Sequence, residues 1–159
     1  MTILIHVRHG EAEPKRPGMS DWERRLTRKG AKGVEAVARL LTPSPELVLH
    51  SPLLRARDTA EIIARLHGAK LAEEPRLAPD DFGPESLAEI LEGAAQGAEI
   101  VALVGHNPSM RDTIEYLVGG RIQVPPGTAA VVELEAAKVI PGGGILRLLL
   151  TPEVAERCS

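Results

Sequence analysis

Three short segments of the sequence combine histidine and arginine in a pattern suited to binding and transferring a phosphoryl group. The segments are Val7-Arg8-His9-Gly10, His50-Ser51-Pro52-Leu53-Leu54-Arg55 and Gly105-His106-Asn107-Pro108. Arginine presents a planar fork of N–H donors that matches phosphate oxygens. Histidine can act as a nucleophile or a base near neutral pH. The two arginines of these segments, together with His9 and His106, therefore predict a phosphoryl-binding pocket with a candidate histidine nucleophile.

Several other kinds of phosphate or hydrolytic site are excluded by their missing motifs. The sequence has no G-x-x-x-x-G-K-[ST] loop, no G-x-G-x-x-G turn and no G-x-S-x-G elbow. Cys158 is the only cysteine, which leaves no cysteine zinc site and no cysteine-based phosphatase loop. His6 and His9 form an H-x-x-H pair, but residues three apart on a strand point to opposite faces and cannot chelate one ion. We therefore predict neither a metal nor a cofactor.

Composition and charge narrow the class of protein and its partners. The 159 residues are predicted to form one domain, residues 1–159, with a net charge of −3 and only three aromatic residues. Neither the charge nor the aromatic content favours a nucleic-acid partner. The longest apolar runs are far shorter than the roughly 20 residues of a membrane span. The N-terminus reads as a strand without a leader pattern, so we expect a cytoplasmic protein with no membrane partner.

Hydrophobic periodicity predicts strands that alternate with helices. Strands are predicted at residues 2–9, 47–50, 69–73, 99–104, 129–134 and 145–150, and helices at 28–41, 51–67, 85–91 and 108–118. Thr27 and Asn107 are the predicted N-caps of the first and last of these helices. This order predicts an α/β fold with a mostly parallel sheet and an antiparallel C-terminal hairpin.

The three histidine and arginine segments each follow a predicted strand. In an open α/β sheet, ligands bind outside the carboxyl ends of the parallel strands. Two of the segments also precede predicted helices, whose N-termini favour anions. The segments are therefore expected to meet at one edge of the sheet and to form a single anion site there.

The same segments resemble, in chain order, the three motifs of the histidine phosphatase superfamily, which includes the phosphoglycerate mutases. Residues 4–12 resemble the R-H-G signature, residues 51–60 the S-P-x-x-R-A-x-x-T-A motif, and residues 105–108 the third motif. Residues 21–30 are similar to the D-x-x-R-P-L-T-x-x-G stretch of the small SixA-type phosphohistidine phosphatases, with Arg25 in place of the usual proline.

The resemblance implies a three-layer α/β/α sandwich of the phosphoglycerate mutase type. Only 50 residues separate Arg55 from His106, and the predicted elements use most of them. Little room is left for the helical cap that larger members place over the pocket. We therefore expect the fold without a large cap, and an open pocket suited to protein-borne or small phosphorylated substrates.

The resemblance also implies roles for individual residues. His9 is expected to attack phosphorus and become a phosphohistidine that water hydrolyses, while Arg8, Arg55 and His106 hold the phosphoryl oxygens. The nearby guanidiniums are expected to lower the pKa of His9 and keep it neutral at pH 7. The other expected substrate-binding residues are Gly10, Glu11, Arg24 and Asn107.

A proton donor is expected in the loop after the third strand, where family members place a carboxylic acid. Asp80 is the preferred candidate, since it follows the Pro75-Arg76-Leu77 stretch by a few residues. The alternatives are Asp81, Glu73, Glu74 and water.

Three functions remain open at this point. The first is a metal-independent phosphohistidine phosphatase whose substrate is a histidine-phosphorylated signalling or phosphotransfer protein. The second is a phosphomonoesterase of the same superfamily with broad specificity for small molecules. The third is a non-catalytic module that binds phosphate or a phosphoprotein, although the presence of His9 counts against it.

Overall fold

Six strands form one mixed sheet in the computed structural model, which describes residues 1–158. The strands are β1 (Thr2–Arg8), β2 (Leu47–His50), β3 (Lys70–Glu73), β4 (Ile100–Gly105), β5 (Ala129–Leu134) and β6 (Gly144–Leu150). Their order is β3-β2-β4-β1-β5-β6, with parallel pairing from β3 to β1 and antiparallel pairing of β5 with both neighbours. The predicted mostly parallel sheet with a C-terminal hairpin is confirmed. Ser159, the end of the predicted domain, lies outside the described residues.

Five helices cover the two faces of the sheet. They are α1 (Arg28–Leu40), α2 (Leu54–His67), α3 (Pro84–Glu92), α4 (Ser109–Val118) and α5 (Pro152–Arg157). One apolar core joins α1, α2 and α5 to one face, and a second core joins α3 and α4 to the other. The result is the expected three-layer α/β/α sandwich. Between α2 and β4 the chain forms only β3, a 3₁₀ turn and α3, so no large cap is present in this part of the described chain.

The central strands are buried on both faces, which explains their nearly continuous apolar sequences. In β1, Ile5 and Val7 enter the core beside α1 and α2, whereas Leu4 enters the core beside α3 and α4. The flanking helices meet the sheet through amphipathic faces. Helix α5 was not predicted; Thr151 caps it and Pro152 occupies its first turn, and both are sequence signals of a helix start.

Two helices begin later than predicted. The predicted helix at 51–67 begins at Leu54, and the Ser51 hydroxyl accepts the Leu53 N–H at 3.2 Å just before it. The last of the four predicted helices begins at Ser109, with Pro108 at the cap position. The predicted N-cap, Asn107, still accepts the Arg111 N–H on Oδ1 at 3.3 Å, and its Nδ2 donates to the Val124 carbonyl at 3.0 Å. By contrast, Thr27 caps α1 as predicted and accepts the Gly30 N–H at 2.9 Å.

His6 is an unusual core residue. It lies on β1 with 0% exposure, and neither ring nitrogen has a hydrogen-bond partner within residues 1–158. A buried polar group without a partner costs about 1–3 kcal/mol. Burial also lowers the pKa of His6 from 6.5 to about 4, so the ring is neutral at pH 7.

Replacement of His6 with leucine is expected to raise the free energy of unfolding by about 1–3 kcal/mol. The unfolded chain protonates His6 near pH 6.5 but the folded chain only near pH 4, so this residue removes stability as the pH falls through that window. The variant should therefore lose less stability than the wild type between pH 7 and pH 5. Urea denaturation at both pH values measures both effects. A lower denaturation midpoint for His6→Leu at pH 7, with an unchanged slope, would contradict the argument.

No helix in residues 1–158 is both long enough and apolar enough to cross a bilayer.

Candidate active site

The three histidine and arginine segments meet at the carboxyl ends of three adjacent parallel strands. In the sheet register, Arg8 is paired with Gly105, and His50 with Val104. Two backbone bonds continue the pairing into the loops, because His9 N–H donates to Gly105 O and Ser51 N–H donates to Val104 O, each at 3.0 Å. The starts of all three loops are therefore held at the same level of the sheet edge.

The ring of His9 is fixed in one tautomer. Its Nδ1 lies 2.7 Å from the carbonyl oxygen of Gly10, which can only accept, so Nδ1 carries the proton. The lone pair is then on Nε2. Arg55 donates from Nε to this Nε2 at 3.3 Å. His9 thus presents an unprotonated nitrogen to the arginine that was predicted to bind the phosphoryl group.

Arg55 lies in the first turn of α2, and it is only 6% exposed. Its Nη1 donates to the carbonyl of Asp21 at 2.8 Å, and its Nη2 to the Asp21 carboxylate at 3.1 Å. Each arm of the guanidinium therefore has its own partner, and the group is oriented before any substrate binds.

Asp21 is a site residue that the sequence analysis did not select. It lies in a short 3₁₀ turn, Asp21–Glu23, within the long loop after β1. Its second carboxylate oxygen accepts from Arg24 Nη1 at 3.1 Å, and Arg24 Nε donates to the Glu13 carbonyl at 2.6 Å. Asp21 consequently holds Arg24 beside Arg55. The available signal was its position as the first residue of the SixA-like stretch.

Arg8 and Asn107 share one anchor on the opposite side of the site. Arg8 Nη1 and Asn107 Nδ2 each donate to the carbonyl of Val124 at 3.0 Å. The Nε of Arg8 is buried and has no protein partner in the described part of the chain. Arg8 therefore keeps hydrogen-bond donors that are free for a ligand.

His106 packs against His9, with ring centroids 5.1 Å apart. Its Nε2 bonds the Ser51 hydroxyl at 2.8 Å. Its Nδ1 is buried and has no partner among residues 1–158, so Nδ1 is the ring nitrogen still open to a ligand. Ser51, which stood in the second motif without an assigned role, orients this ring.

Close packing holds the loop that carries His9. The Gly10 N–H donates to Thr59 Oγ1 at 3.0 Å, and that hydroxyl donates to the Arg55 carbonyl at 2.8 Å. A Cβ atom on Gly10 would lie 2.7 Å from Val34 Cγ2, so helix α1 leaves no room for a side chain there. Thr59 therefore couples the first two motifs, and it too went unselected from the sequence.

Both active-site histidines are neutral at pH 7. The pKa of His9 is lowered to about 4; burial is the largest cause, the Gly10 carbonyl opposes it, and the charges of Arg55, Arg8 and Arg24 also lower it. Burial likewise lowers the pKa of His106 to about 3. The predicted neutrality of His9 is thus reproduced, with burial rather than the guanidiniums as the largest cause. Three guanidiniums against the single carboxylate of Asp21 leave a charge of +2, which matches a phosphoryl dianion.

The ring of His9 is expected to stay unprotonated well below the usual histidine pKa. Its pKa of about 4 places the titration more than two units below 6.5. NMR of ring-labelled protein from pH 8 to pH 5 should show no titration for His9. A short unstructured histidine peptide in the same buffers supplies the reference titration near 6.5. A midpoint near 6.5 for His9 would show that the buried, cation-rich environment does not act on the ring as described.

Among the residues that the structure describes, two of the predicted site residues, Glu11 and Asp80, form no hydrogen bond or ion pair with the histidines and arginines described above. Glu11 is exposed, accepts from Thr27 Oγ1 at 3.2 Å and borders a groove between α1 and α5. Asp80 is exposed and borders a groove with Phe82 and Tyr116. Within residues 1–158, no hydrogen bond or ion pair joins Asp80 to the two histidines or to their arginines. Its role as a proton donor stays a prediction.

The alternative proton donors near that loop are either bonded within the protein or exposed. Glu74 is buried, and it accepts from the N–H and the guanidinium of Arg76. Glu73 and Asp81 are exposed. In the described chain, no three residues of the metal-binding types lie close enough together to hold an ion.

Comparison with known proteins agrees with this geometry. The family model of the histidine phosphatase superfamily (branch 1) matches residues 4–87. An uncharacterized protein from Picosynechococcus, SYNPCC7002_A2622, is 35% identical over 125 residues, which is 74% of each chain.

Solved structures match almost the whole chain. A protein from Agrobacterium tumefaciens that is named as a phosphohistidine phosphatase, SixA, superposes with a TM-score of 0.79 and 25% identity, over 95% of this chain and 99% of that one. A protein histidine phosphatase SixA in complex with tungstate superposes with a TM-score of 0.80 and 22% identity, over 96% and 99%. An α-ribazole phosphatase from Shigella flexneri gives 0.71 and 18%, over 95% and 97%.

The family model covers more than half of the chain, and it includes the first two motifs. The third motif, with His106, completes the same site in space. Members of the family are phosphatases, which supports hydrolase activity for this protein. The chain belongs to the histidine phosphatase superfamily.

Proposed function

We propose that this protein is a phosphohistidine phosphatase that acts through a covalent phosphohistidine on His9. The observation that carries the proposal is the unprotonated Nε2 of His9, which faces Arg55 in a site of net positive charge. The similarity to structures named SixA supports this substrate class. The tungstate complex of one of these proteins shows that a related fold accepts a phosphate-like oxyanion.

The proposed reaction has two displacements at phosphorus. In the first, the lone pair on Nε2 of His9 attacks phosphorus, the bond between phosphorus and the substrate nitrogen breaks, and the substrate ring, protonated on its other nitrogen, leaves as neutral imidazole. In the second, water attacks the phosphoryl group on His9, the bond from Nε2 to phosphorus breaks, and inorganic phosphate leaves. Arg8, Arg55 and His106 offer donors to the phosphoryl oxygens and offset the charge of each transition state.

Within residues 1–158 no carboxyl group bonds His9, and this favours phosphohistidine over alkyl esters. Asp21 is the carboxylate that contacts the site arginines. Burial raises the pKa of Asp21, but hydrogen bonds from Arg24 and Arg55 outweigh this effect and bring it below its usual value. Asp21 is therefore ionised at neutral pH and cannot donate a proton. A phosphohistidine needs little help, because its leaving imidazole is a weak base with a conjugate-acid pKa of about 6.5.

A broad-specificity phosphomonoesterase is the second candidate function. It is favoured by the described chain between α2 and β4, which forms no large cap. A non-catalytic binding module is disfavoured, because it needs the arginines but has no use for a neutral, oriented His9.

The deciding experiment compares substrates under one set of conditions. Values of kcat/KM are measured for a histidine-phosphorylated phosphotransfer protein, free phosphohistidine, sugar phosphates and an aryl phosphate. The proposal expects the phosphohistidine substrates to exceed the sugar phosphates by about 10²-fold or more, the scale of a missing general acid. Equal values support the phosphomonoesterase, and no turnover of any substrate supports the binding module.

Replacement of Asp80 with asparagine tests the predicted proton donor. An alkyl phosphate leaves as a strongly basic alkoxide and needs a proton from the enzyme, whereas phosphohistidine does not. A donor role for Asp80 predicts a loss of about 10²-fold or more on an alkyl phosphate and little loss on phosphohistidine. Asp81→Asn tests the alternative donor in the same assay. Equal losses on both substrates would indicate a positioning role, and no loss on either would reject Asp80 as the donor.

A further inference from the structure

A groove of about 490 Å³ is lined in part by Arg8. Arg8 and Asn107 form its inner end, Arg111 on α4 forms one wall, and the segment from Arg121 to Pro125 forms the other. We call it the Arg121 groove. None of the three phosphatase motifs contains Arg111 or Arg121.

The Arg121 groove is rich in positive charge. Three guanidiniums line it, those of Arg8, Arg111 and Arg121, against the single carboxylate of Glu115. That carboxylate already accepts the Ile122 N–H at 2.9 Å. Arg111 has a partner in Asp112, the next residue on α4. Arg121 is exposed, and its side chain makes no ion pair or hydrogen bond in the described part of the chain.

Arg8 joins the Arg121 groove to the phosphoryl site. It is the last residue of β1, directly before His9, and it acts on the pKa of both His9 and His106. It also donates to the Val124 carbonyl, as Asn107 does, and these two bonds hold the far wall of the groove against the site. An anion in the groove would therefore lie beside a phosphoryl group held at His9.

We propose that the Arg121 groove binds a second anionic group of the substrate, a carboxylate or a phosphate carried close to the phosphoryl group that is removed. This inference rests on the proposed function, since it takes Arg8 as a ligand of that phosphoryl group. Arg121, free of a protein partner, supplies the main contact, and Arg111 adds to the local positive charge. The second anion is either part of a small substrate or an acidic side chain beside a phosphohistidine in a protein.

Matched substrates separate these two sources. The first pair is N-acetyl-phosphohistidine and its carboxamide, which differ only in the carboxylate. The second pair is a phosphohistidine peptide with a neighbouring aspartate and the same peptide with asparagine. The wild type is expected to prefer the anionic member of at least one pair by about 5-fold or more. Preference within the first pair identifies a small-molecule anion, and preference confined to the second identifies an acidic side chain of a protein.

Substitutions in the groove test the assignment. Arg121→Gln is expected to reduce the preference about 2- to 5-fold, and Arg111→Gln with Arg121→Gln to abolish it. Turnover of the carboxamide should stay unchanged in both. Arg39→Gln, which removes an exposed arginine from α1 on the other face of the sheet, is the control for the loss of one surface charge.

An equilibrium measurement keeps the inference separate from the proposed function. Calorimetry compares the binding of pyrophosphate and orthophosphate to the wild type and to the double variant. Weaker pyrophosphate binding in the variant, with orthophosphate binding unchanged, supports the groove even if the wild type turns over no phosphohistidine. The proposal is overturned if the double variant retains both the wild-type substrate preference and the wild-type affinity for pyrophosphate.

Discussion

Alanine at position 9 is expected to lower turnover of phosphohistidine by about 10⁴-fold or more, with the fold intact. His9 is the proposed nucleophile, and its Nε2 is the ring nitrogen in the site that carries a fixed lone pair. The fold should survive, because within residues 1–158 the ring bonds only the adjacent Gly10 carbonyl and the Arg55 guanidinium. Activity is measured by phosphate release, and folding by circular dichroism and thermal unfolding.

A trapped intermediate gives the same prediction a second readout. Rapid quenching of the wild type with ³²P-labelled substrate should yield protein-bound phosphate that is released by mild acid and stable to alkali, as expected for a phosphoramidate. His9→Ala should yield none, whereas His67→Ala, at the end of α2 and remote from the site, should behave as wild type. Chelators are expected to leave turnover unchanged. Full activity in His9→Ala would exclude the covalent mechanism, and loss with a chelator followed by rescue with zinc or magnesium would reject metal independence.

Arg8→Ala and Arg55→Ala are each expected to lower the rate of turnover by about 10²–10⁴-fold, the range for lost electrostatic stabilisers. Arg55 has the larger expected effect. Its Nε reaches His9, and its two other nitrogens are held by Asp21, so the guanidinium is aimed before substrate binds. Arg55→Lys should be nearly as poor, because an ammonium cannot serve these separate partners at once.

The Arg55 variants also distinguish a catalytic from a structural role. Thermal unfolding of Arg55→Ala should stay close to wild type, since its ion-pair partner Asp21 has a half-exposed carboxylate. Arg57→Ala, two residues along α2 with an exposed pair to Glu61, is the matched control and should retain full activity. If Arg55→Ala unfolds, or stays within about threefold of the wild-type rate, the assigned role is wrong.

The sequence alone was sufficient for the fold class and for placing the candidate site at one edge of the sheet. Strands and helices can be predicted from local sequence, because apolar runs and amphipathic stretches depend on neighbouring residues. The predicted strands and the Thr27 cap are accordingly found nearly where expected. The segments around His9, Arg55 and His106 could be placed together because carboxyl ends of adjacent parallel strands must meet at one edge. Residue types and chain order then pointed to phosphoryl chemistry.

Tertiary structure decided how these residues are oriented. Asp21 binds Arg55 across 34 positions, Ser51 binds His106 across 55, and Val124 binds Arg8 across 116. No local pattern encodes such pairings, because they depend on how loops from distant parts of the chain pack at the sheet edge.

The protonation state of the site is likewise a property of the folded chain. Neutral His9 could be expected from neighbouring arginines, but burial makes the largest contribution to its low pKa, and burial depends on everything that packs around the ring. The Arg121 groove likewise exists only in the folded chain. Arg8 and Arg121 stand 113 residues apart in the sequence, and they border one groove only because β1 and the segment before β5 are neighbours in the sheet.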